Sequence, residues 1–290
     1  MRDARNLHIA RALSFSPPLD SVVTVGPAGN TPHHLTELLV NQTTQLLLNH
    51  RTVRRYTDKP LPDGLLEELI RCGQQASTSS NLQAYSIVHV VDPDRKKRMA
   101  ELCADQLQIH QSAAFLAFCA DLHRDRIAFD MHEGQRFDDE YVEALLIATV
   151  DAALVMQNVA VAAESHGLGI CMIGAIRNNP IEVGALLELP DHVFAVSGFC
   201  IGYPDPENPT AIKPRLPTKA VLHRDRYLDD EAMKQHMVDY DQKLGIFYES
   251  QGMHDRDPRW TRVMSGRVGR FHQRADLDVF LKRQGYDWQS

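Results

Sequence analysis

The chain has 290 residues, 43% of them hydrophobic and 24% charged, with a formal net charge of -7 and a pI near 6.0. This is an ordinary composition for a soluble globular protein, and the length allows one large core or two small ones. It argues against a general nucleic-acid binder, whose domain is strongly basic. No apolar run reads as long enough to span a membrane.

Residues 1–38 hold Pro17-Pro18, the loop-like "VGPAGN" and "TPHHL", without the apolar centre of a secretory signal. A poorly ordered extension is expected, or a start codon placed too far upstream, with a transit peptide as the alternative for its arginines. A helix fits Leu39 to Asn49, with Leu46, Leu47 and Leu48 as its buried end. A second helix fits "LPDGLLEELIRCGQQA", with Asp63 as N-cap and Leu65, Leu66, Leu69 and Ile70 at helical spacing. The polar loop "STSSNLQ" follows, Ser77 to Gln83, and then the strand "YSIVHVV" and the turn "DPDR". Next come a helix from Asp94 to Leu102, a short helical piece, and the strand "AFLAFCAD".

Asp139 to His166 is the longest periodic segment. Val142, Leu145, Leu146, Ile147, Val150, Leu154, Val155, Met156, Val159 and Val161 make it apolar nearly all round. Such a helix must be buried on every side, by the core or by a second subunit. Gly167 gives it a C-terminal stop. "GICMIGAI" and "VFAVSGFCIG" read as two more strands, separated by a short helix from Pro180 to Leu187. The proline-rich loop "YPDPENPTAIKPRLP" precedes a long amphipathic helix from about Asp230 to Gln251. A basic, helix-prone tail with Trp260, Phe271, Phe280 and Trp288 closes the chain. Mixed helices and strands in one domain make the fold class α+β.

Three polar clusters carry the chemistry. His50, Arg51 and Thr52 stand with Arg54 in the stretch "NHRTVRRYTDKPLP", which places four basic side chains within His50 to Arg55. Ser77, Thr78, Ser79, Ser80, Asn81 and Gln83 form a hydroxyl-rich loop, and Lys213 and Arg215 flank a stiffening proline. Guanidinium forks, an ammonium, hydroxyls and backbone N–H groups are what holds a phosphate dianion. Taken singly, each cluster also reads as surface charge or capping; together, in an acidic chain, they favour a bound phosphate. The sequence has no GxxxxGKS/T loop and no GxSxG elbow, and "GLGICMIG" has the wrong spacing for a dinucleotide fingerprint. The five cysteines show no CxxC, and the fourteen histidines show no HExxH or zinc spacing. Free buried thiols in a reducing cytosol are expected, and with them a cytoplasmic location.

These residues resemble a known family. "HRTVRRYTDKPLP…LIRCGQQASTSSNLQAYSIVHVVD", "ELCADQ", "DAALVMQNVAVAAESHGLGICMIGAIRNNP", "LELPDHVFAVSGFCIGYP" and "IKPRLP" occur in the order found in FMN-dependent nitroreductases. The chain is most similar to the oxygen-insensitive group of nitroreductases and flavin reductases that uses NADPH. The resemblance runs from about residue 40 to the C-terminus, and residues 1–38 have no counterpart in it. It implies the nitroreductase fold: a mixed central sheet flanked by helices, in an intertwined homodimer with two FMN sites at the subunit interface. His50, Arg51 and Thr52 match the phosphate end of the FMN site, and Lys213 and Arg215 match its second phosphate clamp. Arg54 matches the arginine that reaches the flavin ring, where a cation stabilises charge left by hydride addition. Ser79, Ser80 and Gln83 fall beside the flavin, and Gln106 matches a glutamine that hydrogen-bonds it. Ile173, Gly174 and Ala175 match the stretch whose backbone passes the ring.

The sequence also departs from the pattern. Thr52 replaces a common serine, Asn81 stands where this group often has a bulky residue, and Ala175 replaces a glycine. In the excursion "YESQGMHDRDPRW", two arginines of the resembling enzymes suit the 2′-phosphate of NADPH. Here the first position is Gln251 and only the second, Arg256, is kept, unless Arg259 or Arg262 takes over. The reading is an FMN-dependent oxidoreductase that takes hydride from NADPH, or from NADH, and passes two electrons to a nitroaromatic, quinone or free flavin. Its expected partners are small-molecule acceptors and a second copy of itself, with no nucleic acid and no membrane. A dedicated biosynthetic flavoenzyme and a flavin-binding protein without turnover are the alternatives.

Overall fold

The computed structural model describes residues 41–132, 137, 141–252, 257 and 259–286. The expected extension, residues 1–38, lies outside the described residues, as do Leu39, Arg256 and Trp288. One compact unit runs from Gln42 to Ser290.

Its centre is a four-stranded sheet in the order β1-β2-β4-β3, from β1 (Tyr85–His89), β2 (Ala114–Asp121), β3 (Gly169–Ile173) and β4 (Val193–Gly202). All three ladders are antiparallel, and the parallel component is the isolated bridge between Thr52 and Ile170. β2 is buried along its whole length, which is why it is one continuous apolar run rather than an alternating one. Its side chains divide between two layers. Phe115, Ala117 and Cys119 enter one core cluster, with Met99, Ile109 and Val183. Ala114, Leu116 and Phe118 enter the other, with Leu69, Val155 and Val159. The register slips between Phe118 and Cys119, so Val196 stands unpaired in β4. The Arg177 guanidinium donates to the Val196 carbonyl and satisfies it.

The first layer uses α3 (Pro93–Leu102), α4 (Leu107–Gln111) and α7 (Pro180–Leu187). The second uses α2 (Leu65–Gly73) and α6 (Val142–Ser165). α1 (Gln42–Leu48) and α5 (His123–Asp130) bury no residue. α8 (Asp230–Ser250), α9 (Trp260–Val268) and α10 (Asp276–Arg283) complete the chain. α10 returns to the core: Phe280 and Leu281 are buried beside Phe194, and the Tyr286 hydroxyl donates to the His192 carbonyl at 2.8 Å.

Several expectations are corrected. Leu47 and Leu48 are 47% and 68% exposed, so the end of α1 is not buried within the chain. α2 begins after Gly64 in the left-handed region, and Asp63 does not cap it. The "DPDR" turn is the start of α3, with Asp92 accepting from the Arg95 amide at 2.8 Å and Pro93 in the first turn. α5 had no periodic signal, because it is polar and exposed. The Asp121 carboxylate starts it by accepting from the His123 amide at 2.9 Å.

α6 begins at Val142, inside the expected bounds, and ends as foreseen. The Leu168 amide donates to the Ala163 carbonyl and the Gly167 amide to the Glu164 carbonyl, with Gly167 at φ 72°. This pair of bonds is the Schellman closure that a left-handed glycine permits. With 24 largely apolar residues, α6 does reach membrane-spanning length and composition, contrary to the sequence expectation. Its inner face is a core face: Ala148, Asp151, Ala152, Val155, Met156, Val159, Ala160 and Ala163 are buried. Val142, Leu146, Val150 and Leu154 form an outer stripe, 43–53% exposed.

Candidate functional site

The basic stretch is stitched along the open edge of the sheet. Thr52 bridges Ile170 of β3, the Val53 amide donates to the Ile170 carbonyl at 2.9 Å, and Tyr56 bridges Pro204 just beyond β4. Val53 and Tyr56 are buried, and Arg51, Arg54 and Arg55 stay exposed. Two glycines allow the close approach. A Cβ on Gly169 would lie 2.6 Å from the Val53 side chain, and one on Gly202 would lie 2.9 Å from the Tyr56 ring. The Tyr56 hydroxyl donates to the Val53 carbonyl at 2.9 Å, and burial pushes its pKa far up. His50 is held by Glu164 in the last turn of α6, Nδ1 to Oε1, at 2.7 Å.

Arg54 lies beside Cys171 of β3. Burial raises the Cys171 thiol pKa, and the nearby Arg54 charge opposes that rise. Gln108 touches the same thiol, is itself buried, and donates to the Gln106 side-chain oxygen at 2.6 Å. The Gln106 amide nitrogen donates in turn to the Cys103 carbonyl at 2.9 Å. Arg54 and Gln106 are thereby brought to one neighbourhood through Cys171 and Gln108.

Ile173, Gly174 and Ala175 make the end of β3 and the start of a 3₁₀ turn. Ile173 is buried and Ala175 packs on the core. A Cβ at Gly174 would meet only the Arg177 guanidinium, at an ordinary 3.4 Å. The chain's own packing therefore does not require glycine there, and a bare backbone is presented outward.

The hydroxyl loop is strained. Ser80, Asn81 and Gln83 all have positive φ, at 48°, 60° and 54°. Asp151, buried in the middle of α6, holds it there: one carboxylate oxygen accepts from the Ser79 amide at 3.0 Å and the other from the Ala84 amide at 3.1 Å. Arg124 adds a bond to the Gln83 carbonyl at 3.1 Å. Ser79, Ser80 and Gln83 themselves stay exposed. A groove of about 360 Å³ runs between Ser77–Ser79 and the outer stripe of α6.

These groups do not converge within one chain. The loop is anchored at Asp151 and the basic stretch at Glu164, thirteen residues apart on the same helix. At 1.5 Å per residue that is about 20 Å along its axis. Lys213 and Arg215 belong to a third place. Lys213 lies 5.4 Å from the Tyr248 ring, and the Tyr240 hydroxyl donates to the Pro214 carbonyl at 2.9 Å, so this clamp rides on α8. Among the described residues, no ion pair joins Arg51, Arg54, Lys213 or Arg215 to a carboxylate. Cations left without carboxylates in an acidic chain fit an anionic ligand such as the FMN phosphate.

Gln251 caps the end of α8 and is exposed, while its expected companion Arg256 lies outside the described residues. Arg259 is committed elsewhere, with Nε donating to the Asp257 carboxylate at 2.9 Å. That pairing holds the Asp257 pKa down at about 2. The buried Asp241 accepts from the Thr261 amide at 3.0 Å and ties α8 to α9 across this excursion.

The nitroreductase family pattern matches residues 47–203, more than half of the chain, and the pattern of that family's C-terminal domain matches residues 213–289. The chain belongs to the nitroreductase family. Within it, an FMN reductase (NAD(P)H) of Bacillus subtilis is 35% identical over 248 residues, covering 85% of this chain and 98% of that protein. Among solved nitroreductase-like structures, the hypothetical oxidoreductase YcnD of Bacillus subtilis superposes with a TM-score of 0.82 at 34% identity, over 87% of this chain and 100% of the other. The NADPH:FMN oxidoreductase of Vibrio harveyi, solved with NAD+, gives a TM-score of 0.75 at 31% identity, over 86% and 100%. The fold is thus the α+β nitroreductase fold that the motifs imply.

Sequence reasoning missed Asp151, Glu164 and Gln108. Two of them carried a signal. Asp151 and Glu164 are carboxylates with little exposure on a largely apolar helix, and a charge that survives there needs a partner.

Proposed function

We propose that this nitroreductase is an FMN-dependent NAD(P)H oxidoreductase that reduces nitroaromatics, quinones or free flavins by two-electron ping-pong turnover. FMN supplies the hydride chemistry when bound, so no side chain need act as a nucleophile. His50, Arg51, Thr52, Lys213 and Arg215 hold its phosphate. Arg54 and Gln106 face the ring, and the bare backbone at Gly174 lets it approach.

The observation that carries the reading furthest is the separation of about 20 Å between the anchors of the basic stretch and of the hydroxyl loop. One chain cannot close both around one ring. A second copy, packed on the outer stripe of α6, brings its own Ser79, Ser80 and Gln83 to the basic stretch of the first. The active species is therefore a homodimer with two shared sites. Five unpaired cysteines suit a cytoplasmic setting.

The purified protein should be yellow, with one FMN per chain and no FAD. Arg51→Ala should lose flavin, because a charge-assisted contact is worth about 1.5–3 kcal/mol. A colourless protein that does not take up added FMN overturns the proposal.

A further inference from the structure

We infer that Glu164 is a positioning residue for the phosphate end of the site, turning the His50 ring so that its Nε2 edge meets the anion and supplying the counter-charge. The inference rests on the FMN reading above and adds a residue to it.

A carboxylate only accepts hydrogen bonds, so the 2.7 Å contact commits the Nδ1 proton of His50 to Glu164. Nε2 is then the free edge. In the doubly protonated ring that edge donates to a phosphate dianion, and the His50 side chain is 27% exposed, open to a ligand. Glu164 has no helical reason to be where it is. It sits in the last turn of α6, where the macrodipole disfavours a negative charge, and its side chain is only 12% exposed. Its backbone is fixed, because its carbonyl accepts the Gly167 amide in the Schellman closure. His50 is fixed from its other side by the bridge at Thr52 and the Val53 amide bond to Ile170. The ring is thus held between two rigid elements, as a preorganised anion donor requires.

A bare carboxylate this close to a phosphate would repel it. Glu164 helps only through the intervening imidazole, which gives the inference a sign that a plain structural tie between α1 and α6 lacks. The test titrates full-length apoprotein with FMN and with riboflavin, which has no phosphate. Glu164→Ala should weaken FMN about tenfold and leave riboflavin unchanged. In the His50→Ala background the same change should tighten FMN, because it then removes an unshielded charge. Glu164→Gln keeps an acceptor and loses the charge, and should weaken FMN by less; it carries the comparison if Glu164→Ala does not fold. Equal losses for both flavins, an unchanged FMN affinity, or the same weakening without His50 would overturn the inference. Arg51→Ala separates the two levels. If it fails to weaken FMN relative to riboflavin, the phosphate reading of this end falls; if it succeeds and Glu164→Ala does nothing, only the role of Glu164 falls.

Discussion

The two faces of α6 are both largely apolar and opposite in situation. The inner face packs Ala148, Ala152, Val155, Val159 and Ala163 on the sheet and on α2, all fully buried. The outer face leaves Val142, Leu146, Val150 and Leu154 about half exposed, one above another at every fourth residue. Small residues dominate inside, where the helix must approach the sheet closely, and branched ones outside, where the proposed partner would have room to interdigitate. Hydrophobicity alone therefore does not say which surface a residue serves; side-chain size and the company of Asp151 do.

The largest expected effect is on the outer face. Leu146→Asp with Leu154→Asp places two charges in the proposed dimer contact, at a cost of several kcal/mol each if they were buried. Sedimentation should show a folded monomer at micromolar concentration. Wild-type protein that is itself an FMN-loaded monomer would instead remove the dimer. On the inner face, Asp151→Ala strips the Ser79 and Ala84 amides of a charged acceptor, two contacts worth about 1.5–3 kcal/mol each. Urea unfolding of the apoprotein should show a loss of about 3–6 kcal/mol, with the loop becoming sensitive to protease. The matched pair Val155→Ala and Val150→Ala sharpens the contrast. The first should cost about 2–3 kcal/mol in folding, the second under about 0.5 kcal/mol at concentrations where the chain is monomeric.

A smaller effect concerns the nicotinamide. With Gln251 uncharged and Arg259 tied to Asp257, Arg262 is what remains of the alternative supply of charge. NADPH should still be used, with a weaker preference over NADH than a site with two arginines would give. Gln251→Arg should raise kcat/KM about tenfold for NADPH only. An unchanged NADPH-to-NADH ratio would show that Gln251 is not at the 2′-phosphate. The smallest effect is none at all: a chain starting at residue 38 should bind FMN and turn over normally, as the absence of periodicity before that point implies. Loss of activity on truncation would show that the segment packs on the core.

Much of the fold was legible because burial was legible. β2 and β4 run over the residues that the apolar stretches "AFLAFCAD" and "VFAVSGFCIG" mark. α7 keeps the bounds that Pro180 and Leu187 suggest. What stayed hidden depends on partners remote in sequence. Nothing local to α6 tells that Asp151 serves amides about 70 positions earlier, or that Glu164 serves an imidazole 114 positions earlier. The exposed Leu47 and Leu48 show the reverse failure: an apolar helix end was read as core, and the chain by itself offers no core to receive it. The basic and hydroxyl clusters could be picked out by residue type, but their separation along one helix, at its middle and its last turn, could not.

That division has a genetic meaning. If the site is shared as proposed, a lesion at Arg51 and a lesion in the Ser79 loop strike opposite halves of it. In a dimer formed from one chain of each kind, both defects collect at one site and the other is left whole. Two inactive variants, denatured together and refolded as an equal mixture, would regenerate activity in about one quarter of all sites, by random pairing of twofold dimers.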